Sequence, residues 1–283
     1  MIIEQKRTKY IRDLKMLAYR MGTYLRMLSA AKRALPDFLI IGAQKSGTTS
    51  LYAHLAEHPN IIPAYRKKEV HYWDNPRNYK KGLLWYRAHF PLIKELQAAS
   101  AITGEKTPNY LENPEYIGKI KEDCPAAKII ILLRNPVERT ISNYIMKVRR
   151  GFEKLPLMEA LLSEEVRLAS PSERRKYGIE RAYKIRGIYA PSIKACLDNY
   201  SPDQMIILDS NEFFKSPALI LKDVYDLLGI SQNKMPEIYF HKNFGGYDKS
   251  EIPQEVYTYL QNFYRPYNEE LYELLGRDFG WED

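Results

Sequence analysis

Five short apolar runs punctuate the chain, at 38–42, near 60–63, near 101–104, at 128–133 and at 205–209. Each has strand length, and the segments between them carry helical spacing or helix-capping residues. Lys128 to Leu133 and Met205 to Leu208 are rich in isoleucine and nearly all apolar, the composition of strands buried on both faces. Strands alternating with helices in this way predict an α/β fold, an open parallel β-sheet flanked by helices on both faces.

Longer periods fill the spaces. Val256, Leu260, Phe263, Tyr264, Tyr267, Leu271, Leu274 and Leu275 recur at helical intervals as a core-packing stripe, with Pro266 expected to kink or divide the helix. Leu157 to Leu168 also reads as helix, and Ser170 to Lys176 as a polar connection suited to the rim of a cleft. Before the first strand, Leu14, Leu17, Ala18, Met21, Leu25 and Leu28 keep helical spacing. That stripe is expected to pack on the main domain; its other use would be to lie on an anionic membrane surface.

A chain of 283 residues with 45% hydrophobic content fills one sizeable core and leaves little for a second. The expected organisation is a basic, helical extension over 1–35 and a single domain over 36–283. The net charge is +8, yet residues 1–35 hold nine Lys or Arg against two acids, a net of +7, leaving about +1 for the rest. Charges interrupt this arm too often for a signal peptide or a membrane span. The two cysteines, Cys124 and Cys196, imply no disulfide framework. A reducing, cytoplasmic location is the expectation, with peripheral contact at the inner membrane surface through residues 1–35. No nucleic-acid reading module accompanies the basic arm, so no nucleic acid partner is expected. Oligomeric state is not legible.

The densest chemistry lies in Phe38-Leu-Ile-Ile-Gly-Ala-Gln-Lys-Ser-Gly-Thr-Thr-Ser50, where an apolar strand runs into a glycine-punctuated, hydroxyl-rich turn. Gly42 and Gly47 permit tight backbone geometry, and Ser46 to Ser50 can open a helix whose free N–H groups point at an anion. A Walker A loop places its lysine directly after the second glycine. Here Thr48 follows Gly47 and Lys45 lies inside the loop, which argues against a magnesium-nucleotide kinase or ATPase.

This loop resembles that of the sulfotransferases that use 3′-phosphoadenosine 5′-phosphosulfate (PAPS), which have the same strand, internal lysine and Gly-Thr-Thr. Lys128-Ile-Ile-Ile-Leu-Leu-Arg-Asn-Pro-Val-Glu-Arg-Thr-Ile-Ser-Asn-Tyr144 is similar to that family's 3′-phosphate motif, with Asn135 where aspartate is often found. Lys68-Glu-Val-His-Tyr-Trp-Asp74, Glu105-Lys-Thr-Pro-Asn-Tyr110 and Leu275-Gly-Arg-Asp-Phe-Gly-Trp281 resemble segments of the heparan-sulfate-type (glycan) branch and its bacterial relatives. The resemblance spans residues 36–283. It implies sulfuryl transfer from PAPS to a hydroxyl of a carbohydrate or glycan, release of adenosine 3′,5′-bisphosphate, and no metal. Golgi relatives commonly carry a membrane anchor and a cysteine pair near the C-terminus; this sequence has neither, which speaks against a secretory location.

In-line sulfuryl transfer relies on positioning and charge stabilisation, as phosphoryl transfer does. Lys45 is expected to stabilise the leaving phosphate, with Ser46, Gly47, Thr48, Thr49 and Ser50 as further donor-binding residues. Arg134, at the end of a parallel strand, and Ser142, nearly two helical turns beyond Pro136, are expected to hold the 3′-phosphate. A hydroxyl nucleophile needs a base, and Glu69 is the candidate. If Glu69 to Trp73 is extended, Glu69 and His71 share a side, so His71 can share the proton or orient the hydroxyl. The heparan-sulfate-type branch has its base and a supporting histidine at these positions. Lys106 is assigned to the sulfuryl group or the acceptor, and Asp74 to orienting Lys106 or His71. Arg186, with Gly187 and Tyr189, resembles a donor-side or acceptor-side segment of the family, and His241 to Lys249 is expected to close over the nucleotide. Without the paired motifs, Arg134 would read as a surface ion-pair partner and Glu69 as a surface carboxylate beside Lys67 and Lys68.

His54-Leu-Ala-Glu-His58 matches the pattern of inverted zinc peptidases, with both histidines able to share a helix face. It closes the helix that begins at the cradle, however, and no third ligand is identifiable. Other readings carried forward are a small-molecule, lipid or amine acceptor, a P-loop nucleotide kinase, and a noncatalytic binder of acidic glycans or membrane. The last is opposed by the joint presence of Lys45, Glu69, Arg134 and Ser142.

Overall fold

The computed structural model describes residues 17–65, 69–169, 182–236, 239 and 248–281. Four strands form one parallel sheet, β1 (Phe38–Gly42), β2 (Gly104–Lys106), β3 (Lys128–Leu133) and β4 (Met205–Asp209), in the order β2-β1-β3-β4. Ile40 is in register with Lys106 on one side and Ile130 on the other, and Leu133 pairs with Asp209. The helices are α1 (17–27), α2 (Thr48–Leu55), α3 (Pro76–Tyr79), α4 (Leu83–Arg87), α5 (Ile93–Ala99), α6 (Pro114–Asp123), α7 (Pro136–Arg149), α8 (Leu157–Leu162), α9 (Glu164–Leu168), α10 (Ala190–Asn199), α11 (Ser210–Lys215), α12 (Pro217–Leu228) and α13 (Gln254–Leu275).

Side chains alternate across the sheet, so Leu39, Ile41, Ile129, Ile131 and Leu133 enter one core and Phe38, Ile40, Ile130 and Leu132 the other. The first core also holds Ile117 and Ile120 of α6 with Ile193 and Cys196 of α10. The second holds Leu51 and Leu55 of α2 with Leu221, Val224 and Tyr225 of α12. Both faces are covered, which is why β1 and Ile129 to Leu133 of β3 are apolar along their length. A third cluster packs Val137 and Ile141 of α7 and Leu161 of α8 against Val256, Leu260 and Tyr264 of α13.

From β1 the chain crosses to one edge of the sheet, and from β3 to the other, so the β1/β3 boundary is the switch point. Open α/β sheets bind ligands beyond the carboxyl ends of their strands at such a boundary. Those ends here lead into Lys45, Lys106, Arg134 and Ser210.

Four expectations are revised. Near 60–63 and 101–104 a single parallel bridge forms, Ile61 with Ile102, and the paired strand begins only at Gly104. α13 runs unbroken through Pro266, because Leu260, Tyr264 and Leu271 anchor the helix in the core on both sides of it. The 157–168 segment divides at Ser163, where Glu164 turns inward to accept N–H bonds from Tyr183, Lys184 and Ile185 at 2.8, 2.6 and 2.9 Å. In α1 the apolar stripe does not pack: Leu17, Met21 and Leu25 are exposed, as is Leu28 just beyond. The opposite side docks instead, with Tyr19 stacked on Tyr65 and Arg26 donating to the carbonyls of Ala88 and Phe90. The polar connection at 170–176 and residues 241–247 of the expected closing segment lie outside the described residues. Lys249, the last residue of that segment, pairs with Glu138.

Candidate active site

β1 is wholly buried and ends at Gly42, after which the chain turns through Ala43–Gly47 into α2. Lys45 and Gly47 have φ of 75° and 95°. Gly47 is required on two counts, since a Cβ there would also sit 2.6 Å from the Phe214 ring. No side chain caps α2, so the Thr48 and Thr49 N–H groups, at the positive end of the helix dipole, remain available to an anion, while that of Ser50 donates to the Gly47 carbonyl at 2.9 Å.

The loop is bolted from three directions. Ser210 Oγ donates to the Ser46 carbonyl at 2.8 Å, Arg134 Nη1 to the Lys45 carbonyl at 3.1 Å, and Arg186 Nη1 to Gln44 Oε1 at 3.0 Å. Arg186 also pairs with Glu112, so this expected donor residue reaches the cradle through Gln44. Ser46, Thr48 and Ser50 are buried, and Lys45, Gly47 and Thr49 are half-buried. Burial, reinforced by the nearby charges of Arg134, Arg150, Arg139 and Arg149, pushes the Lys45 ammonium down to about 8.

On the other side of the switch point, β3 delivers Arg134, and Asn135 caps α7 by accepting from Val137 N at 2.9 Å. Asn135 Nδ2 also donates to the Trp281 carbonyl at 3.1 Å, a bond the usual aspartate cannot make. Arg134 Nη2 meets Glu138 Oε2 at 2.7 Å, and Ser142 lies one turn beyond Glu138 on the same helix face. The Tyr189 hydroxyl donates to the Arg134 carbonyl at 2.9 Å, and Trp281 Nε1 to Asp209 Oδ2 at 3.3 Å. Sequence reasoning missed Arg139. It is wholly buried and donates to Tyr183 O and Thr140 Oγ1, while its Nε and Nη1 have no partner among the described residues. Its signal was a second arginine five residues after Arg134. An uncapped helix end, a depressed lysine and a buried guanidinium with unmet N–H groups all fit a phosphorylated nucleotide.

Lys106 closes β2, and its ammonium pairs with Glu69 Oε1. Burial raises the Glu69 carboxyl, but the charge and hydrogen bond of Lys106 outweigh it and hold the group below its ordinary range. Residues 69–73 are not extended, because His71 has φ of 55° and turns the chain. The His71 ring is placed by that turn: Nδ1 meets Asp74 Oδ2 at 2.6 Å, and Asn78 Nδ2 donates to the His71 carbonyl at 2.8 Å. Burial favours the neutral ring, yet Asp74, with smaller contributions from Glu69 and Glu105, leaves its pKa raised. Of the two partners proposed for Asp74, the structure selects His71.

Glu105 was quoted in a motif without a role, and the structure supplies one. Its buried carboxylate accepts from Thr107 Oγ1 at 2.7 Å, from the Tyr86 and Tyr110 hydroxyls at 3.0 Å each, and from Val70 N at 3.3 Å. It thereby fixes the peptide between Glu69 and His71.

The histidine pair does not share a helix, because α2 stops at Leu55. His58 accepts from Asn60 N at Nδ1 (3.1 Å) and donates from Nε2 to the Ser231 carbonyl (2.9 Å), while the His54 ring packs by Phe213 and Tyr239. Among the described residues no group of three or more His, Cys, Asp or Glu side chains is placed to hold a metal ion.

Known proteins resemble this chain in sequence and in fold. The family model described as "Sulfotransferase domain" matches residues 35–263. The chain is 31% identical over 282 residues to heparan sulfate glucosamine 3-O-sulfotransferase 3A1 of Mus musculus, covering 92% of this chain and 68% of that protein. It is 30% identical to the bifunctional heparan sulfate N-deacetylase/N-sulfotransferase 4 of Mus musculus, over 86% of this chain and 30% of that protein. The crystal structure of a sulfotransferase from Alicyclobacillus acidocaldarius matches with a TM-score of 0.70 at 29% identity, covering 88% of this chain and 100% of that one. With the matched model spanning most of the chain and the cradle, the Arg134 strand end and the Glu69–Lys106 pair gathered at one sheet edge, the chain belongs to the sulfotransferase family, enzymes that draw their sulfuryl group from PAPS.

Proposed function

We propose that this sulfotransferase acts on a carbohydrate hydroxyl, with Glu69 as general base. The observation that carries the proposal is the Glu69–Lys106 ion pair at the carboxyl end of β2, the strand beside the one that feeds the Lys45 loop. PAPS supplies an activated sulfuryl group on its 5′-phosphate. Lys45 and the N–H groups of Gly47, Thr48 and Thr49 bind that phosphate and offset the charge that grows on it. Arg134 and Ser142 bind the 3′-phosphate, and Arg139 adds positive potential beneath them. Glu69, kept ionised by Lys106, takes the hydroxyl proton, and His71, oriented by Asp74, positions the hydroxyl. A carbohydrate acceptor is supported by relatives named for heparan sulfate sulfation.

The test is incubation of the purified chain with sulfur-labelled PAPS and heparan-type oligosaccharides. Label should enter the saccharide with wild-type chain and not with Glu69→Gln. Label entering a small phenol, lipid or amine while saccharides stay unlabelled would overturn the acceptor class. Equal transfer by Glu69→Gln would overturn the base.

A further inference from the structure

α1 is docked the wrong way round for a surface helix. Amphipathic helices normally bury their leucines and expose their polar face. Here the buried side is Tyr19, stacked on Tyr65 with centroids 5.8 Å apart, Thr23, and Arg26, whose guanidinium lies 4.5 Å over the Tyr65 ring. Gly22 permits this approach, since a Cβ there would sit 2.9 Å from the Tyr65 hydroxyl. The outward side is Leu17, Met21, Tyr24 and Leu25, exposed by 54, 59, 61 and 68%, continued by Leu28 at 88%. At the helical advance of roughly 100° per residue these five fall within an arc of about 100°. They form one continuous apolar ridge opposite the docking face.

The ridge is flanked on one side by the exposed Arg20. Residues 17–35 contain Arg20, Arg26, Lys32 and Arg33 and no acid, and Arg20 and Lys32 are exposed. Beside the ridge lies a cleft of about 410 Å³ lined by Arg20, Tyr24, Asn75, Lys81 and Trp85, among others. Lys81 stands 4.3 Å over the Trp85 ring, so the cleft offers two cations among aromatic and amide groups. We propose that this face seats the enzyme on an anionic lipid bilayer, with the ridge entering the acyl boundary and Arg20 and Lys81 at headgroup level. An apolar ridge with cations beside it matches that surface on both counts. A second copy of the chain would set Arg20 and Lys32 against their own kind, and a free glycan offers nothing apolar to the leucines. The inference does not rest on the acceptor reading.

The experiment is vesicle flotation of the full chain with phosphatidylcholine alone and with phosphatidylcholine mixed with phosphatidylglycerol. The chain should float with the mixed vesicles only, and less as salt is raised. Leu25→Glu/Leu28→Glu changes two exposed positions, so its melting temperature should match wild type while its vesicle affinity falls at least about tenfold. Arg20→Glu should weaken the preference for anionic lipid independently. Wild-type chain that fails to float, or a leucine pair variant that floats equally well, overturns the proposal. So does a wild-type dimer that the same pair abolishes, because the ridge would then belong to a second copy.

Discussion

The Lys106 ammonium, on the last residue of β2, pairs with the Glu69 carboxylate, so the candidate base and the cation that closes the strand hold each other in place. The pair keeps Glu69 charged at neutral pH and lowers its basicity at the same time.

Glu69→Gln removes the proton acceptor without altering the cradle. Turnover should fall by about 10²–10⁴, while calorimetric affinity for adenosine 3′,5′-bisphosphate stays within about twofold of wild type. Lys106→Met should shift the acid limb of kcat/KM upward in pH, because Glu69 loses the partner that holds its pKa down. A limb that stays where it was would separate Lys106 from Glu69.

Lys45 gives the alkaline limb. Its folded pKa is lowered to about 8, and only the ammonium attracts phosphate, so nucleotide affinity should weaken as pH rises through about 8. Lys45→Arg, which stays charged, should flatten that dependence even if it binds less well. Constant affinity of the wild type between about pH 7 and 9 would show that Lys45 does not touch the anion.

Gly47→Ala meets two penalties, a φ of 95° and a Cβ 2.6 Å from the Phe214 ring. The variant should lose about 1–3 kcal/mol of stability in thermal melts, and most of its nucleotide binding. Adding Phe214→Ala relieves the contact but not the backbone strain, so recovery should be partial.

Asn135→Asp keeps the cap on α7 and loses the bond to the Trp281 carbonyl. The expected cost is about 1 kcal/mol, read as a lower melting temperature. Asn135→Ala also loses the cap and should cost about 1 kcal/mol more.

Three strands were legible to the residue, because β1 and β3 are buried on both faces and burial writes itself as an apolar run, and the edge strand β4, half-buried over Met205 to Ile207, keeps the same apolar composition. β2 escaped because Gly104-Glu-Lys106 contains nothing apolar. Its burial rests on the hydrogen bonds of Glu105 and the ion pair of Lys106, which sequence spacing does not reveal. In α1 periodicity identified which residues share a face and was silent on which way that face turns. Lys45, Arg134 and Glu69 were readable from motifs. Arg139 and Glu105 were not assigned, since their roles lie in contacts with Tyr183, Tyr86 and Val70, distant in the chain. The turn at His71 was misjudged because alternation presumes an extended backbone and a positive φ outside glycine leaves no compositional trace.

Trp281 closes the account of the donor side. Its carbonyl is held by Asn135, its indole N–H by Asp209, and its ring stands 5.9 Å from Tyr189, whose hydroxyl is bonded to Arg134. An indole tied this closely to Arg134, the residue proposed to hold the 3′-phosphate, is a built-in optical gauge: its emission should change as the nucleotide site fills, giving a label-free readout of donor occupancy in stopped flow.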